Sequence, residues 1–412
     1  MYYDKEDRKM KVCVYSQARC AANLFDNSKL EDYFRENNFE IVDSYQEADL
    51  ILVNTCAFSQ KSENDSIKII KNIEREKRGN AQMIVFGCLA SINRERLRKE
   101  FSGLILTHNE LVKLDEIVNV QKSFLEIRSN FLQPEMLKQT ERKKQIIWKI
   151  LNFLNKVKLS NRSLRKILFS GFDFAPSTYY IQISTGCLGA CSYCAIRYAR
   201  GRIKSKSIEE ILEEIKFGFQ KDYRDFVLVS EDSGVYGKDI GTSFNSLLLA
   251  IAGINEEIRL YIYQINPSWL INNADFFIKQ VKNNNIVFVC VPIQSGNNRI
   301  LELMDRGYRI EDAQKALWKI RNNCSELCIA SHFMVGFPGE TESEFQDTMN
   351  FIKKMRLDSM AVFRFGARPR TPAIIMFNQI SEEVKLKRLK EAEKVIFRTR
   401  FKSLKIPVSF SN

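Results

Sequence analysis

Short apolar runs rich in β-branched residues alternate with helical patterns along most of the chain. In the first third of the chain these runs are KVCVYS (11–16), DLILVNT (49–55) and QMIVFG (82–87). Runs of this kind are typical of parallel strands that are buried on both faces of a sheet. Helical stretches such as SKLEDYFRENN and SENDSIKIIKNIEREKR lie between them, so residues 10–120 are predicted to form a doubly wound α/β domain.

The second half of the chain repeats this alternation. Its six predicted strands are YYIQIS (179–184), DFVLVS (225–230), RLYIYQI (259–265), IVFVCVPI (286–293), LCIASHFMV (327–335) and MAVFRFG (360–366). Six β/α units with parallel strands fit a curved, incomplete (β/α)6 barrel better than a flat sheet, and we assign residues 171–380 to it. Polar residues and glycines gather directly after these strands, at the rim where such barrels carry their chemistry.

Two basic segments flank the predicted barrel. Residues 121–170 are predicted to form a basic helical linker, and Glu141–Leu168 carry nine Lys or Arg against one acid, a net charge of +8. Residues 141–159 have an apolar helical face. They fit a helix packed on a domain with its basic side in water, or a helix that faces RNA or a membrane surface. Residues 381–412 are predicted to form a basic C-terminal helix and tail.

The composition of the chain limits which partners and which cellular compartment fit it. The formal net charge is +13, which favours an anionic partner such as RNA. No run of about 18 apolar residues is present, and the start MYYDKEDRKMKV lacks the apolar core of a secretory signal. These features predict a cytoplasmic protein that does not enter the membrane. In that reducing compartment, ten cysteines indicate metal binding, catalysis or burial rather than disulfides.

Three of the cysteines form a tight cluster in CLGACSYC (187–194). Cys187, Cys191 and Cys194 follow the first predicted barrel strand, which places them at the rim. Three thiolates can hold three irons of a 4Fe–4S cluster and leave the fourth iron open for another ligand. Tyr193 lies between the last two cysteines and would shield the cluster from solvent. A partial zinc site is the alternative, and the presence of only two histidines in the sequence opposes it.

The cluster loop resembles that of radical S-adenosylmethionine (radical SAM) enzymes, in which the open iron binds S-adenosylmethionine. GCLGACSYCAIRYARGRIKSKSIEEI is further similar to the loop of the radical SAM methylthiotransferases. Later stretches match this family in order: VSEDSGVYGKD (229–239), VPIQSGNNRILELMDRGY (291–308), VGFPGETESEF (335–345) and ARPRTPA (367–373). These motif sequences are most similar to those of the methylthiotransferase branch that acts on threonylcarbamoyladenosine beside the tRNA anticodon.

The resemblance implies an enzyme that replaces an unactivated C–H bond by C–S–CH3. One S-adenosylmethionine would supply the methyl group, and a second would be cleaved to a 5′-deoxyadenosyl radical. The cofactors implied are two 4Fe–4S clusters and S-adenosylmethionine. The implied partners are tRNA as the substrate, an external electron donor and a sulfur donor.

Three further cysteines lie at the ends of the N-terminal strands. Cys20 follows the first strand, and Cys56 and Cys88 end the next two runs. Parallel strands direct their carboxyl ends to one edge of the sheet, so these thiols should converge although they are far apart in sequence. Burial as small apolar side chains is the alternative. The resemblance implies that the three bind the second cluster, which takes part in sulfur delivery.

The other candidate residues follow barrel strands. Glu231 and Asp232 could hold polar groups of the cofactor or orient the substrate, or they could form an N-cap or a salt bridge. The resemblance places Gln294 and Ser295 near the cofactor ribose or the substrate.

A glycine-rich segment, GFPGE (336–340), ends the fifth barrel unit. It resembles the segment of the family that lies on the adenine side of the cofactor, with Gly336 and Gly339 as its binding positions. The same glycines could also simply form a βα turn.

The C-terminal sequence departs from the family pattern. Typical members end in a small β-barrel that grips RNA or a protein target, whereas this sequence ends at FKSLKIPVSFSN. A peptide, a protein or a small molecule is therefore an alternative substrate. A non-catalytic iron–sulfur sensor or electron carrier is a third hypothesis, and the intact cofactor-side motifs argue against it.

Overall fold

The computed structural model describes residues 9–16, 20–118, 120–127, 131–132, 178–254 and 257–403. They form two compact units. The N-terminal unit consists of Met1–Leu132, Cys194–Arg202 and Gly366–Thr371, and the barrel unit consists of Gln133–Tyr193, Ile203–Phe365 and Pro372–Asn412. The predicted helix at 141–159, most of the basic linker and residues 404–412 lie outside the described residues.

A parallel five-stranded sheet forms the centre of the N-terminal unit, in the order β2-β1-β3-β4-β5. The strands of the unit are β1 (Lys11–Ser16), β2 (Glu40–Ile41), β3 (Leu50–Thr55), β4 (Gln82–Gly87), β5 (Leu104–Ile105) and the short β6 (Phe131–Leu132). Alternate residues of β3 pack into two hydrophobic clusters, Leu50 and Leu52 in one and Ile51 and Val53 in the other. The sheet is therefore buried on both faces, as the sequence predicts.

Helices cover this sheet. They are α1 (Ala21–Glu36), α2 (Gln60–Glu76), α3 (Cys88–Ile92), α4 (Arg94–Glu100), α5 (Leu114–Ile117) and α6 (Ile196–Arg200), with a 3-10 helix at His108–Lys113. Ser59 caps α2 by accepting a hydrogen bond from the backbone of Ser62, and Asn93 caps α4 in the same way. The cysteine predicted to end the third strand, Cys88, instead begins α3 directly after Gly87.

The barrel unit contains six parallel strands whose spatial order follows the chain. They are β7 (Thr178–Gln182), β10 (Asp225–Val229), β11 (Arg259–Ile262), β12 (Ile286–Cys290), β13 (Cys328–Val335) and β14 (Ser359–Arg364). Two short strands, β8 (Ser184–Thr185) and β9 (Lys204–Ser205), pair antiparallel. This succession agrees with the six predicted β/α units.

The helices of the barrel unit separate these strands and follow the last one. They are α7 (Ile208–Gln220), α8 (Phe244–Ile251), α9 (Pro267–Asn283), α10 (Asn298–Leu303), α11 (Ile310–Asn323), α12 (Glu342–Met355) and α13 (Glu382–Ser403), with 3-10 helices at Ser233–Val235 and Pro372–Ile374. Capping boxes begin α7 at Ser207 and α12 at Thr341. Among the described residues, every helix is too short or too polar to cross a membrane.

Candidate functional site

The loop that follows β8 carries the first cysteines of CLGACSYC. The backbone N–H of Gly189 donates to the Sγ of Cys187 over 3.2 Å. Burial, together with the negative charges of Asp232, Cys191 and Glu231, raises the pKa of the Cys187 thiol to about 11, although donation from the Gly189 N–H opposes the rise. The structure therefore brings this loop and the end of β10 together, as the strand-end argument predicts. Cys194 follows three residues after Cys191 and is half-buried.

An arginine that sequence reasoning missed lies against this loop. Arg306 donates from Nη1 to the Sγ of Cys191 over 3.3 Å and from Nη2 to the carbonyl of Pro292 over 2.9 Å. It is only 9% exposed, and its Nε has no partner among the described residues. Arg306 belongs to a motif that carried the family resemblance, but no local pattern marks a contact between residues 115 positions apart.

The two acids after β10 have different environments. Asp232 caps the 3-10 helix at Ser233–Val235, accepting from the backbone N–H groups of Gly234 and Asn266 over 3.0 and 3.1 Å. Burial raises the pKa of Asp232, although these two donors oppose the rise. The N-cap alternative therefore describes Asp232, whereas the carboxylate of Glu231 lies near Cys187.

Gln294 and Ser295 lie between β12 and α10. Gln294 has a left-handed backbone, with φ 70°, and bridges to β13: its N–H donates to the His332 carbonyl and its own carbonyl accepts from Met334, both over 2.8 Å. Ser295 is fully buried, with its Oγ 3.3 Å from the hydroxyl of Thr348. The backbone of Gln294 is thus fixed by β13, and the Ser295 hydroxyl already has a partner inside the protein.

The segment GFPGE (336–340) makes a tight turn after β13. Gly336 has φ 74°, and a Cβ there would lie 2.5 Å from the Cγ of Lys385 on α13. The Gly336 N–H donates to the carboxylate of Glu340 over 2.7 Å, and Arg388 donates to the same carboxylate over 2.8 Å. Burial raises the pKa of Glu340 to about 7, and both donors oppose the rise.

Two more of the predicted site residues, Gly339 and Tyr193, lie in or against this turn. Gly339 has φ 77° and donates its N–H to the carbonyl of Asn378 over 2.9 Å, and the space where its Cβ would stand is open. The ring of Tyr193 meets that of Phe337 edge to face, with 6.4 Å between centroids. Tyr193 is also close enough to Arg306 to raise the pKa of that guanidinium, against the effect of burial. The loop cysteines and the glycine-rich turn are therefore neighbours within the barrel unit.

The N-terminal unit brings Cys20, Cys56 and Cys88 together at the carboxyl ends of its strands. The thiols lie close enough to interact: the charge of Cys56 raises the pKa of Cys20, and the charges of Cys20 and Cys56 raise the pKa of Cys88. Cys20 as a residue is exposed, but the protein around its sulfur raises its pKa to about 11, while donation from the Asn23 N–H opposes this. Burial raises the pKa of Cys88 to about 12.

A buried polar network supports these thiols. Arg200 donates to Asp26 over 2.8 Å and to the side-chain oxygen of Asn23 over 3.1 Å, and His108 lies 3.0 Å from Asp26. The opposing charges of Arg200 and His108 hold the pKa of Asp26 well below its ordinary value, against the effect of burial. Asn23 Nδ2 and Asn54 Oδ1 are buried without a partner among the described residues.

The donors present fit iron–sulfur clusters. Among the described residues, no group of three or more His, Cys, Asp or Glu side chains surrounds a single ion position. In a cluster each thiolate binds a different iron, so the sulfurs stand wider apart than around one ion. Buried amide N–H groups such as Asn23 Nδ2 are suitable donors to cluster sulfur. Cys13 and Cys290, which lie inside strands β1 and β12, are buried core residues.

Comparisons with known proteins identify the family of the chain. Residues 181–352 match the sequence profile described as Radical SAM superfamily, and residues 13–107 match the one described as Uncharacterized protein family UPF0004. A probable threonylcarbamoyladenosine tRNA methylthiotransferase of Pyrococcus horikoshii is 31% identical over 355 residues, covering 86% of this chain and 76% of the relative. The ribosomal protein uS12 methylthiotransferase RimO of Acetivibrio thermocellus is 31% identical over 385 residues, covering 92% and 80%.

Solved structures of radical SAM enzymes share the fold. The methyltransferase TsrM from Kitasatospora setae superposes with a TM-score of 0.60 at 14% identity, over 89% of this chain and 77% of that chain. The cobalamin-dependent enzyme OxsB gives a TM-score of 0.53 at 13% identity, over 95% and 56%. The predicted fold class is confirmed.

The chain belongs to the radical SAM methylthiotransferase family. Enzymes of this family use two 4Fe–4S clusters and S-adenosylmethionine, which is the cofactor set that the sequence predicts. The relatives include enzymes named for tRNA and enzymes named for a ribosomal protein.

Proposed function

We propose that this enzyme inserts a methylthio group at an unactivated C–H of N6-threonylcarbamoyladenosine next to the tRNA anticodon. Relatives named for tRNA and for uS12 match at the same 31% identity, so identity does not choose between the substrates. The observation that favours tRNA is the strongly basic chain, with a net charge of +13, since RNA is a polyanion. The sequence of the cluster loop, GCLGACSYC followed by ARG, also supports tRNA, because it resembles the loop of the branch that acts on threonylcarbamoyladenosine.

We assign the radical-generating cluster to Cys187, Cys191 and Cys194. Gly189 supports this loop by donating to Cys187, and Arg306 supplies a positive charge to Cys191. When bound, the cluster and S-adenosylmethionine supply the electron, the hydrogen abstraction and the methyl group. The residues of the chain hold the thiolates at the barrel rim and limit their exposure to water.

We assign the second cluster, which handles sulfur, to Cys20, Cys56 and Cys88. The proximity of the three thiols, seen in the effect of Cys56 on Cys20 and of both on Cys88, and the unpartnered amide nitrogen of Asn23 support this assignment. Arg200 fixes the orientation of Asn23, because it donates to the side-chain oxygen and leaves the amide nitrogen facing away. Residues 10–120 are the proposed domain of this cluster, and residues 171–380 are the proposed domain of the other.

The proposed cofactor-side residues divide into two groups. Tyr193, Glu231, Gln294, Gly336 and Gly339 line or shape the rim around the cysteine loop and remain the proposed contacts for S-adenosylmethionine. Asp232 and Ser295 act indirectly, since the first fixes the turn after β10 and the second the turn before α10. A sulfur donor and an external electron donor complete the reaction from outside the chain.

The test is mass spectrometry of tRNA nucleosides from cells with and without this gene. We expect a methylthio-adenosine to disappear on deletion and to return on complementation. An unchanged nucleoside profile would contradict a tRNA substrate.

A protein substrate is the second candidate, because the uS12 enzyme of Acetivibrio thermocellus aligns over 92% of this chain. The same two strains distinguish it, since loss of a methylthio group from ribosomal protein uS12 would appear in the intact mass of that protein.

A further inference from the structure

Two arginines share one tyrosine ring on the N-terminal unit. The guanidinium carbon of Arg197 lies 4.9 Å from the centroid of the Tyr198 ring, and that of Arg370 lies 4.3 Å from the same centroid. The Tyr198 hydroxyl donates to the carbonyl oxygen of Arg370 over 2.7 Å. Arg197 and Arg370 are both exposed residues, so the ring holds two positive charges at the surface.

Arg370 adopts a backbone conformation that an arginine disfavours. Its φ is 66°, in the left-handed region where glycine fits without strain. Strained residues of this kind cluster at ligand-binding sites, where the surrounding structure holds them in place. A side chain kept at such a position is therefore a candidate for a contact outside the chain.

Buried contacts hold the segment that carries Arg370. Arg368 is 3% exposed and forms an ion pair with Glu63, which is fully buried. The hydroxyl of Thr371 donates to the carbonyl of Arg368 over 2.7 Å. The backbone of Arg370 is thus fixed on both sides, and its side chain is presented from a rigid support.

The charged residues of the two segments that carry Arg197, Tyr198 and Arg370 are all positive. Residues 194–202 and 366–371 contain five arginines and no acid. Arg200 and Arg368 are buried and neutralised by Asp26 and Glu63. Arg197 and Arg370 have no carboxylate partner in the described part of the chain. Two like charges over one ring repel each other, and an anion between them would relieve this repulsion.

The position of Arg197 and Arg370 in the unit indicates which anion they bind. Tyr198 lies on α6 and, like Cys88, packs against the hydrophobic cluster that contains Ala199. Because α6 packs on α3, which begins with Cys88, a group bound at the pair lies in the same region of the unit as the proposed sulfur-handling cluster. Guanidinium groups match phosphate oxygens in geometry, and a phosphodiester backbone is the anion that an RNA substrate presents.

We propose that Arg197 and Arg370, held on the ring of Tyr198, bind the phosphodiester backbone of the substrate RNA. The proposal rests on the proposed tRNA function and names residues that hold that substrate. The predicted contact is electrostatic and does not depend on the base sequence of the RNA.

The test compares Arg370→Gly with wild type in the full-length, cluster-loaded enzyme. Glycine accepts the backbone conformation, so the variant removes the side chain without adding strain. The probe is tRNA purified from the deletion strain. We expect binding to weaken roughly tenfold near 0.1 M salt, because each phosphate contact releases about one counterion. The slope of log affinity against log salt should fall by about one.

The matched control is Arg356→Gly. Arg356 is also an exposed arginine with positive φ, 44°, but it ends α12 in the barrel unit. This variant should leave both tRNA affinity and the salt slope unchanged. Arg197→Ala, which needs no special backbone, should repeat the effect of Arg370→Gly.

Two results would overturn the proposal: affinity and salt slope of Arg370→Gly equal to wild type, or a decrease of the same size in Arg356→Gly. The nucleoside profile separates this failure from failure of the proposed function. A methylthio-adenosine lost on gene deletion, together with normal tRNA binding by Arg370→Gly, would retain the function and reject the two arginines.

Discussion

At the scale of single residues, the two sets of three cysteines carry different expectations. Replacing Cys187, Cys191 or Cys194 by Ser should abolish 5′-deoxyadenosine formation, because the cofactor is cleaved at the cluster that these thiolates are proposed to hold. Replacing Cys20, Cys56 or Cys88 should spare this cleavage and stop sulfur insertion. Both products are measured by chromatography under anaerobic, reducing conditions.

A core cysteine provides the control for these variants. Cys290→Ser, at a buried thiol outside both sets, should retain 5′-deoxyadenosine formation if it folds. Retained cofactor cleavage in a Cys191→Ser enzyme would reject the assignment of the first set.

At the scale of elements, α13 supports the turn after β13. Arg388 is 6% exposed and donates to both the carbonyl and the carboxylate of Glu340, over 2.9 and 2.8 Å. Arg388→Met should loosen this turn, since a hydrogen bond to a charged group contributes about 2 kcal/mol. We expect KM for S-adenosylmethionine to rise about tenfold with a smaller change in kcat. Arg398→Met, at an exposed position of the same helix, should leave both constants unchanged.

The capping box of α12 gives the barrel unit an acid-sensitive contact. Arg299 and the backbone of Thr341 hold the pKa of Glu344 at about 2, below its ordinary value. A lowered carboxylate pKa stabilises the fold above the unfolded pKa of about 4.3, and this stability is lost as pH falls toward 2. Glu344→Gln should therefore lower the unfolding free energy by about 2 kcal/mol at pH 7 and flatten its decline below pH 4. Chemical denaturation at several pH values measures both effects, and an unchanged acid decline would contradict the prediction.

The elements and the cysteine sets could be predicted from sequence because each has a local signal. β-branched runs marked the strands, and equivalent strand ends placed Cys20, Cys56 and Cys88 at one edge. The contacts of Arg306 with Cys191 and of Arg368 with Glu63 could not be predicted, since they join residues 115 and 305 positions apart. Such contacts depend on how distant elements pack against each other, and the spacing of apolar residues in the sequence carries no information about that packing.

At the scale of the whole molecule, the N-terminal unit is not one continuous stretch of chain. Its core includes Ala195 and Ala199, which come from the segment that follows the cluster loop. Two of its carboxylates also depend on distant segments, because the half-buried Asp26 pairs with Arg200 and the buried Glu63 with Arg368. The unit therefore requires residues 194–202 and 366–371 for its own stability.

A fragment of residues 1–132 should consequently fail to fold stably. Removing one partner of a buried ion pair costs up to about 3–5 kcal/mol, and the fragment loses Arg200 and Arg368, although Asp26 keeps His108 and Glu63 keeps Arg96. A domain of this size has only about 5–15 kcal/mol of stability in total. Circular dichroism should show no cooperative thermal transition near that of the full chain. A fragment that melts as cooperatively as the full chain would show that the two distant segments are dispensable for this unit.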